Sequence, residues 1–320
     1  MVSKNDRVTR PTTSKSSSLT SDDISAVLAL VHRAEIQDGA AALNEQQQFS
    51  LRRRDGHEIC YLASRDNDGT IVGFGLVNGT ASRAATGALV VDPDFRHRGI
   101  GSALVEAMLQ SVPGALDVWS HGNSADAKAL AASHGFRVAR KLYVLKRDLT
   151  EQTPPLPEPH WPDGVTVRTF EVGRDEESWL RVNAAAFADH PEQGRLTRTD
   201  LDDRMAEPWF DPKGFFLAER NGTIVGFHWT KIHGGTNDGE GERVGEVYVL
   251  GLVPEAQGLG LGKALALTGL HYLAGTGLTS VILYVEASNP AAVGLYTGLS
   301  FIHTKTDVLY EHQAEPTPRE

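Results

Sequence analysis

The chain of 320 residues contains a single cysteine, Cys60. That excludes an internal disulfide and the small stapled folds of oxidising compartments. Cys60 sits in the strand-like run "EICYLAS" with no base beside it, and reads as a small buried hydrophobe. No stretch reaches the roughly 18 apolar residues a membrane-spanning helix needs. The opening "MVSKNDRVTRPTTSKSSSLT" lacks an apolar signal core, and its Ser/Thr/Lys content predicts a disordered tail over residues 1–20. No His or Cys falls at HExxH or CxxC spacing, so no metal is expected. Positive charge is in deficit, 31 Lys and Arg against 41 Asp and Glu, and a net charge of −10 opposes bulk nucleic-acid binding. The single cysteine suits a reducing cytoplasm, and the net charge says little about small substrates.

What the chain has in excess is repetition. "GTIVGF" stands at 69–74 and again at 222–227, each time behind a turn pair, Asp68-Gly69 or Asn221-Gly222. Such pairs lead out of hairpin turns into strands. "VVDPDFRHRGIGSALV" (90–105) matches "GLVPEAQGLGLGKALA" (251–266), and "GNSADAKALAASHGF" (122–136) matches "ASNPAAVGLYTGLSF" (287–301) with one residue inserted in the first copy. Three matches in one order predict two copies of one fold. Residues 150–164, "TEQTPPLPEPHWPDG", hold five prolines that block helix and central strand alike. They set the expected boundaries: a first domain over 21–150, a linker over 151–164 and a second domain over 165–320.

Each copy reads as an opening helix, a hairpin, a strand, a Gly-rich turn into a helix, a strand, a short helix and a closing strand. Ser21 is a candidate N-cap for the first helix. This order predicts an α/β fold, a mixed sheet flanked by helices.

The Gly-rich turns point to an anion, because glycines let backbone N–H groups approach a phosphate at a helix N-terminus. Two familiar phosphate loops fail. Gly262-Lys263 is followed by Ala264, not Ser or Thr, and no third glycine completes G-x-G-x-x-G from Gly258 or Gly260. The pattern that fits is [QR]-x-x-G-x-[GA], as Gln257-Gly258-Leu259-Gly260-Leu261-Gly262 and as Arg96-His97-Arg98-Gly99-Ile100-Gly101. It resembles the acetyl-CoA loop of the GCN5-related N-acetyltransferases. Asn289, followed by a short helix and Tyr296, is similar to that family's second CoA motif, with Asn123 as its counterpart.

Acyl transfer to an amine needs a base, a polarised carbonyl and an acid for the departing thiolate. Glu246 lies fourteen residues before Gly260, where the first copy has Ala85; Tyr296 lies seven after Asn289, where the first copy has Leu130. The second copy is therefore expected to be catalytic through Glu246 and Tyr296, and the first to be degenerate. Read as ordinary structure, Glu246 is an exposed strand carboxylate and Tyr296 a core aromatic.

Longer strings, "RVNAAAFADHPEQG" (181–194), "WFDPKGF" (209–215), "GFHWTKIH" (226–233), "GEVYVLGL" (245–252) and "LYVEASN" (283–289), resemble one tandem-domain family of that superfamily, the mycothiol synthases. The resemblance implies transfer of acetyl from acetyl-CoA to the cysteinyl amine of cysteinyl-glucosaminyl-inositol. It implies acceptor contacts from Glu45, Glu192, Lys231, Glu246 and Tyr284. It implies acetyl-CoA contacts from Leu250, Gly251 and Leu252, from Gln257, Gly258, Leu259, Gly260, Leu261, Gly262 and Lys263, and from Asn289, Pro290, Ala291, Ala292, Val293 and Gly294. In the first copy, Leu89, Val90 and Val91 with Arg96, His97, Arg98, Gly99, Ile100 and Gly101 would hold a second CoA. The chain departs from the family where Gly258 and Leu259 replace two arginines, Val253 a common Asp, and Ser300 the glycine before Phe301; weaker CoA affinity in the second copy is expected. An acetyltransferase for another small amine or a protein N-terminus, or a non-catalytic CoA sensor, stays open. An internal tandem supplies its own partner surface, so a monomer is expected.

Overall fold

The computed structural model describes residues 11–52, 58–81, 84–190, 193–234 and 243–313. The chain forms two compact units, Met1–Leu142 with Thr306–Glu320, and Tyr143–Lys305.

In the first unit a strand β1 (Thr12–Ser16) pairs antiparallel with β2 (Ile59–Arg65), so part of the expected tail is an edge strand; residues 1–10 lie outside the described residues. Helix α1 (Ser21–Asp38) is capped by Thr20, one residue before the expected Ser21, because Thr20 and Asp23 form a reciprocal capping box. After α2 (Glu45–Arg52), β2 runs antiparallel to β3 (Ile71–Asn78), and β3 to β4 (Ala84–Val91). Helix α3 (Ile100–Leu109) leads to β5 (Ala115–Ser120), which is parallel to β4. Helix α4 (Ala125–Ser133) precedes β6 (Arg137–Asp148). One core gathers Val27, Leu30 and Val31 of α1 on Phe74 and Leu76; another gathers Ile100, Leu104 and Met108 of α3 on Cys60, Leu62 and Leu116. Cys60 is 4 % exposed, as its setting in the sequence implied.

The second unit repeats the plan: β7 (Val165–Thr169), α5 (Glu176–Ala186), α6 (Arg198–Met205), β8 (Phe215–Arg220), β9 (Thr223–His233), β10 (Val244–Leu252), α7 (Leu261–Gly275), β11 (Ser280–Glu286), α8 (Pro290–Gly298) and β12 (Ile302–His312). Strands β7 to β10 are antiparallel neighbours, and β11 joins β10 in parallel. The hairpin turn before β9 uses Asn221 and Gly222, both at positive φ (53° and 74°), as the turn pair requires. Alternate residues of β9 serve opposite faces. Phe227 and Trp229 enter an aromatic core with Trp179 and Phe215, while His228 turns to α7 and hydrogen-bonds Leu265 O through Nδ1 at 2.8 Å. Helix α7 comes this close because position 269 is glycine: a Cβ there would lie 2.2 Å from His228 Cε1.

The unit boundaries fall inside strands rather than in the proline-rich stretch. The chain leaves the first unit after Leu142, within β6, and returns at Thr306, within β12. Residues Val308–His312 of β12 pair antiparallel with β5, so the first unit's sheet is completed by the chain's last strand.

Candidate active site

In the second unit β10 carries a bulge: Val247 pairs with Thr230 and Val249 with Trp229, leaving Tyr248 between them. The parallel ladder to β11 covers only Gly245–Val247, so β10 leaves β11 from Tyr248 onward, before Leu250, Gly251 and Leu252. The first unit opens at the same place, its ladder ending at Gly87, before Leu89, Val90 and Val91. Backbone groups past these points have no partner on the parallel strand, which leaves them available to a ligand.

The Gly-rich turns follow. Gly258 and Gly260 have φ of 77° and 82° with open space where a Cβ would stand. Gly260 begins α7 with no side-chain cap, and the first intrahelical bond runs from Ala264 N to Gly260 O. The amides of Leu261, Gly262 and Lys263 thus precede the helical ladder. Gly99 (φ 84°) begins α3 in the same way. By contrast Thr20, Ser124, Thr197 and Asn289 cap α1, α4, α6 and α8 with side-chain oxygens. The two uncapped glycine starts have the chemistry of phosphate cradles. Val253 leaves the turn before Gln257 uncapped, whereas Asp92 at the matching place caps its own.

Asn289 accepts from Ala292 N at 3.0 Å through Oδ1, which leaves its amide N–H groups without a partner among the described residues. Pro290, Ala291, Ala292, Val293 and Gly294 form the first turns of α8, with Pro290, Ala291 and Gly294 exposed and Ala292 and Val293 half-buried against the core. In the first unit the cap is Ser124, not Asn123, whose Oδ1 instead accepts from Tyr310 Oη at 2.8 Å. Segments 122–136 and 287–301 are equal in length, so Ser124 is the counterpart of Asn289, and Ala131, not the expected Leu130, is that of Tyr296: Phe136 N bonds Ala131 O as Phe301 N bonds Tyr296 O.

Glu246 is 6 % exposed on β10 and occupies the second rung of the parallel ladder, opposite Ile282; Ala85 occupies the second rung of the other ladder, opposite Leu116. The sequence pairing of Glu246 with Ala85 is thus a structural one. The Glu246 carboxylate accepts from His233 Nε2, its one hydrogen-bond partner among the described residues. Lys231 lies directly across the strand pair, with Nζ 4.4 Å from the Trp209 ring centre and 5.0 Å from that of Tyr248. Arg204 fixes Tyr248 through a 2.8 Å bond from Nε to Oη. Tyr296 is 6 % exposed on α8, its ring tilted against Phe301 at 5.6 Å. Its phenol has no hydrogen-bond partner among the described residues, and burial pushes its pKa far above the ordinary value.

The structure thus brings Glu246 and Lys231 onto one face of the β9–β10 pair. Tyr284, 47 % exposed, stands on β11. Glu45 opens α2 in the first unit, and Glu192 lies outside the described residues. Sequence reasoning missed His233, Trp209, Tyr248 and Arg204; the alternation Lys231-x-His233 was the available signal.

In the first unit a cavity of about 620 Å³ is lined by Val90, Val91, Gly99, Ile100, Gly101 and the β5–α4 turn. The basic side chains of its loop are engaged locally. Arg96 makes a two-pronged pair with Asp38 at 2.7 and 2.8 Å, which raises its pKa. His97 Nε2 lies 3.3 Å from Asp126, and Arg98 bonds Asp94 O while covering the Phe95 ring. Among the described residues no group of three His, Cys, Asp or Glu is placed to hold a metal, and no helix is long and apolar enough to cross a membrane.

Residues 179–301 match the acetyltransferase (GNAT) family and residues 56–138 an acetyltransferase (GNAT) domain. The mycothiol acetyltransferase of Thermomonospora curvata is 49 % identical over 297 residues, covering 92 % of this chain and 96 % of that one. That of Streptomyces coelicolor is 48 % identical over 293 residues, covering 91 % and 92 %. Among solved structures, a tandem GNAT protein from the clavulanic acid biosynthesis pathway superposes with a TM-score of 0.72 at 18 % identity, covering 96 % of this chain and all of that one. A GCN5-related N-acetyltransferase from Sphaerobacter thermophilus gives 0.66 at 24 %, covering 95 % and 96 %. The splayed strands and uncapped glycine turns are thus those of a tandem GNAT fold, and by identity over nine-tenths of its length the chain belongs to the mycothiol acetyltransferase family.

Proposed function

We propose that the chain transfers acetyl from acetyl-CoA to the cysteinyl amine of cysteinyl-glucosaminyl-inositol, the last step of mycothiol biosynthesis, and that the second unit performs it. The observation that carries this is the pair of Glu246, a buried carboxylate with one hydrogen bond among the described residues, and Tyr296, a buried ring whose phenol has none among them, both absent from the matching places of the first unit.

The uncapped start of α7 fits a pyrophosphate: left-handed glycines at 258 and 260, free amides at 261–263 and no side chain in the way. Bound there, acetyl-CoA supplies an activated acetyl thioester. Gln257, Gly258, Leu259, Gly260, Leu261, Gly262 and Lys263 hold its phosphates, and the Asn289 amide donates to its arm. Backbone N–H groups among Leu250, Gly251 and Leu252, past the end of the ladder, polarise the thioester carbonyl. Glu246 takes the proton that the acceptor amine loses as its nitrogen bonds the acetyl carbon. As the carbon–sulfur bond breaks, Tyr296, kept protonated by burial, gives its proton to the sulfur. With an α-amine pKa near ~7.8 the acceptor arrives mostly as ammonium. One proton is therefore released per turnover.

Lys231, Tyr284 and Glu192 are the proposed contacts for the many hydroxyls of the pseudodisaccharide. The first unit, with Ala85 in place of the carboxylate, is proposed to hold a second CoA in its cavity without turning it over. A cytoplasmic monomer without a metal completes this reading.

The test is a competition assay by mass spectrometry. The purified chain and acetyl-CoA meet equimolar cysteinyl-glucosaminyl-inositol, free cysteine, a polyamine and short peptides. Dominant N-acetylation of the sugar conjugate is expected. Acetylation of another amine refutes the acceptor, and CoA binding without any product refutes the enzyme.

A further inference from the structure

We propose that His233 is the positioning residue for Glu246, a role that rests on the reading of Glu246 as the base. Strand register brings the two together. Glu246 pairs with Lys231 and Val244 with His233, so Lys231, His233 and Glu246 stand on one face of the β9–β10 pair. An ionised carboxylate only accepts hydrogen bonds, so the proton between the two groups belongs to His233 Nε2. The bond occupies Oε2 and leaves Oε1 without a protein partner among the described residues. Oε1 is thereby the oxygen open to the proton of the amine.

The solvent exposure of the two side chains separates their tasks. Glu246 is 8 % exposed and His233 is 40 % exposed. His233 is the one donor to that buried carboxylate among the described residues. The imidazole holds the carboxylate in one orientation, with its own outer edge in solvent.

The two copies give an independent argument. Aligning "GTIVGF" with its repeat sets Lys231 against Asn78 and His233 against Thr80. Strand β3 stops at Asn78, whereas β9 continues to His233. The unit that has Ala85 for Glu246 therefore has neither the strand extension nor the imidazole. Base and donor are present together in one unit and absent together from the other.

The experiment compares His233→Phe, which fills the space without a donor, with His233→Gln, whose amide N–H reaches a similar position. Glu246→Gln and the double variant Glu246→Gln/His233→Phe complete the set, each checked by its melting temperature. Assays use acetyl-CoA and cysteinyl-glucosaminyl-inositol. A hydrogen bond to a charged group contributes enough for His233→Phe to lower kcat by about 10- to 100-fold with the KM for acetyl-CoA unchanged. His233→Gln recovers most of that loss, and the double variant is no slower than Glu246→Gln alone. Wild-type kcat in His233→Phe, or equal losses in the Phe and Gln variants, overturns the positioning role while leaving Glu246 as the base. Full activity of Glu246→Gln overturns the base, and His233 with it.

Discussion

The phenol of Tyr296 makes a sharp test, because deleting it is expected to spare stability and to slow the chemistry. Tyr296→Phe removes one oxygen that has no hydrogen-bond partner among the described residues, from a ring that keeps its contact with Phe301. The hydroxyl oxygen is not among the fully enclosed side-chain atoms left without a partner, so its removal is expected to change stability by no more than about 0.5 kcal/mol. A buried tyrosine that spent its hydroxyl on a structural bond would lose about 1 kcal/mol or more instead. The chemical effect is larger. A positioned general acid contributes about 10²–10⁴-fold. A thiol leaving group with a pKa near ~8.5 departs tolerably as thiolate, so the lower end applies, about 10²-fold in kcat. The assay is a urea midpoint beside steady-state kinetics on the same preparation. A Tyr296→Phe variant with wild-type kcat, or one destabilised by more than about 2 kcal/mol, refutes the reasoning, since the hydroxyl would then be structural or idle.

Two further outcomes follow from the same fold. Burial pushes the His228 pKa down from 6.5 to about 4. The unfolded chain therefore takes that proton first, and stability present above pH 6.5 is lost as pH falls toward 4. The loss is at most about 1.4 kcal/mol per pH unit and about 3 kcal/mol in all. His228→Asn, which keeps a donor for Leu265 O, is expected to flatten the slope of urea midpoints between pH 6.5 and 4.5; an unchanged slope assigns it to other groups. Ser300 sits at φ 62°, where the first unit has Gly135 at 75°. Ser300→Gly is expected to raise stability by about 1 kcal/mol in thermal unfolding without changing activity, and a lower melting temperature would refute it.

Much of the fold was legible because its signals are local. The hairpin turns at Asp68-Gly69 and Asn221-Gly222, the glycine starts of α3 and α7 and the order of elements all depend on neighbouring residues. What escaped depends on residues far apart. The sequence of β12 does not say that Val308–His312 will pair with β5, since any strand of that pattern serves either sheet. Arg96 reads as a phosphate ligand until the fold brings Asp38 to its guanidinium from 58 residues away. Asn123 aligns with Asn289 by letter, but the cap belongs to Ser124, which an alignment without the inserted residue places there. Glu246 and Tyr296 are candidates raised by comparing the copies. The same comparison carried to His233 would have marked it, but the bond that gives it meaning crosses a strand pair.

The closing of the first unit by the chain's last strand has a consequence for synthesis. When Leu142 leaves the ribosome, β5 still lacks its antiparallel neighbour, and about 160 more residues must be made before Thr306 appears. At bacterial-scale elongation of about 5–20 residues per second, that edge stays unpaired for roughly 10–30 s. An open strand edge over that interval is a template for pairing with other nascent chains. Completion of this protein is thus a post-translational event for its amino-terminal half, and a transcript truncated before the codons for Val308–His312 yields a chain whose first sheet never closes.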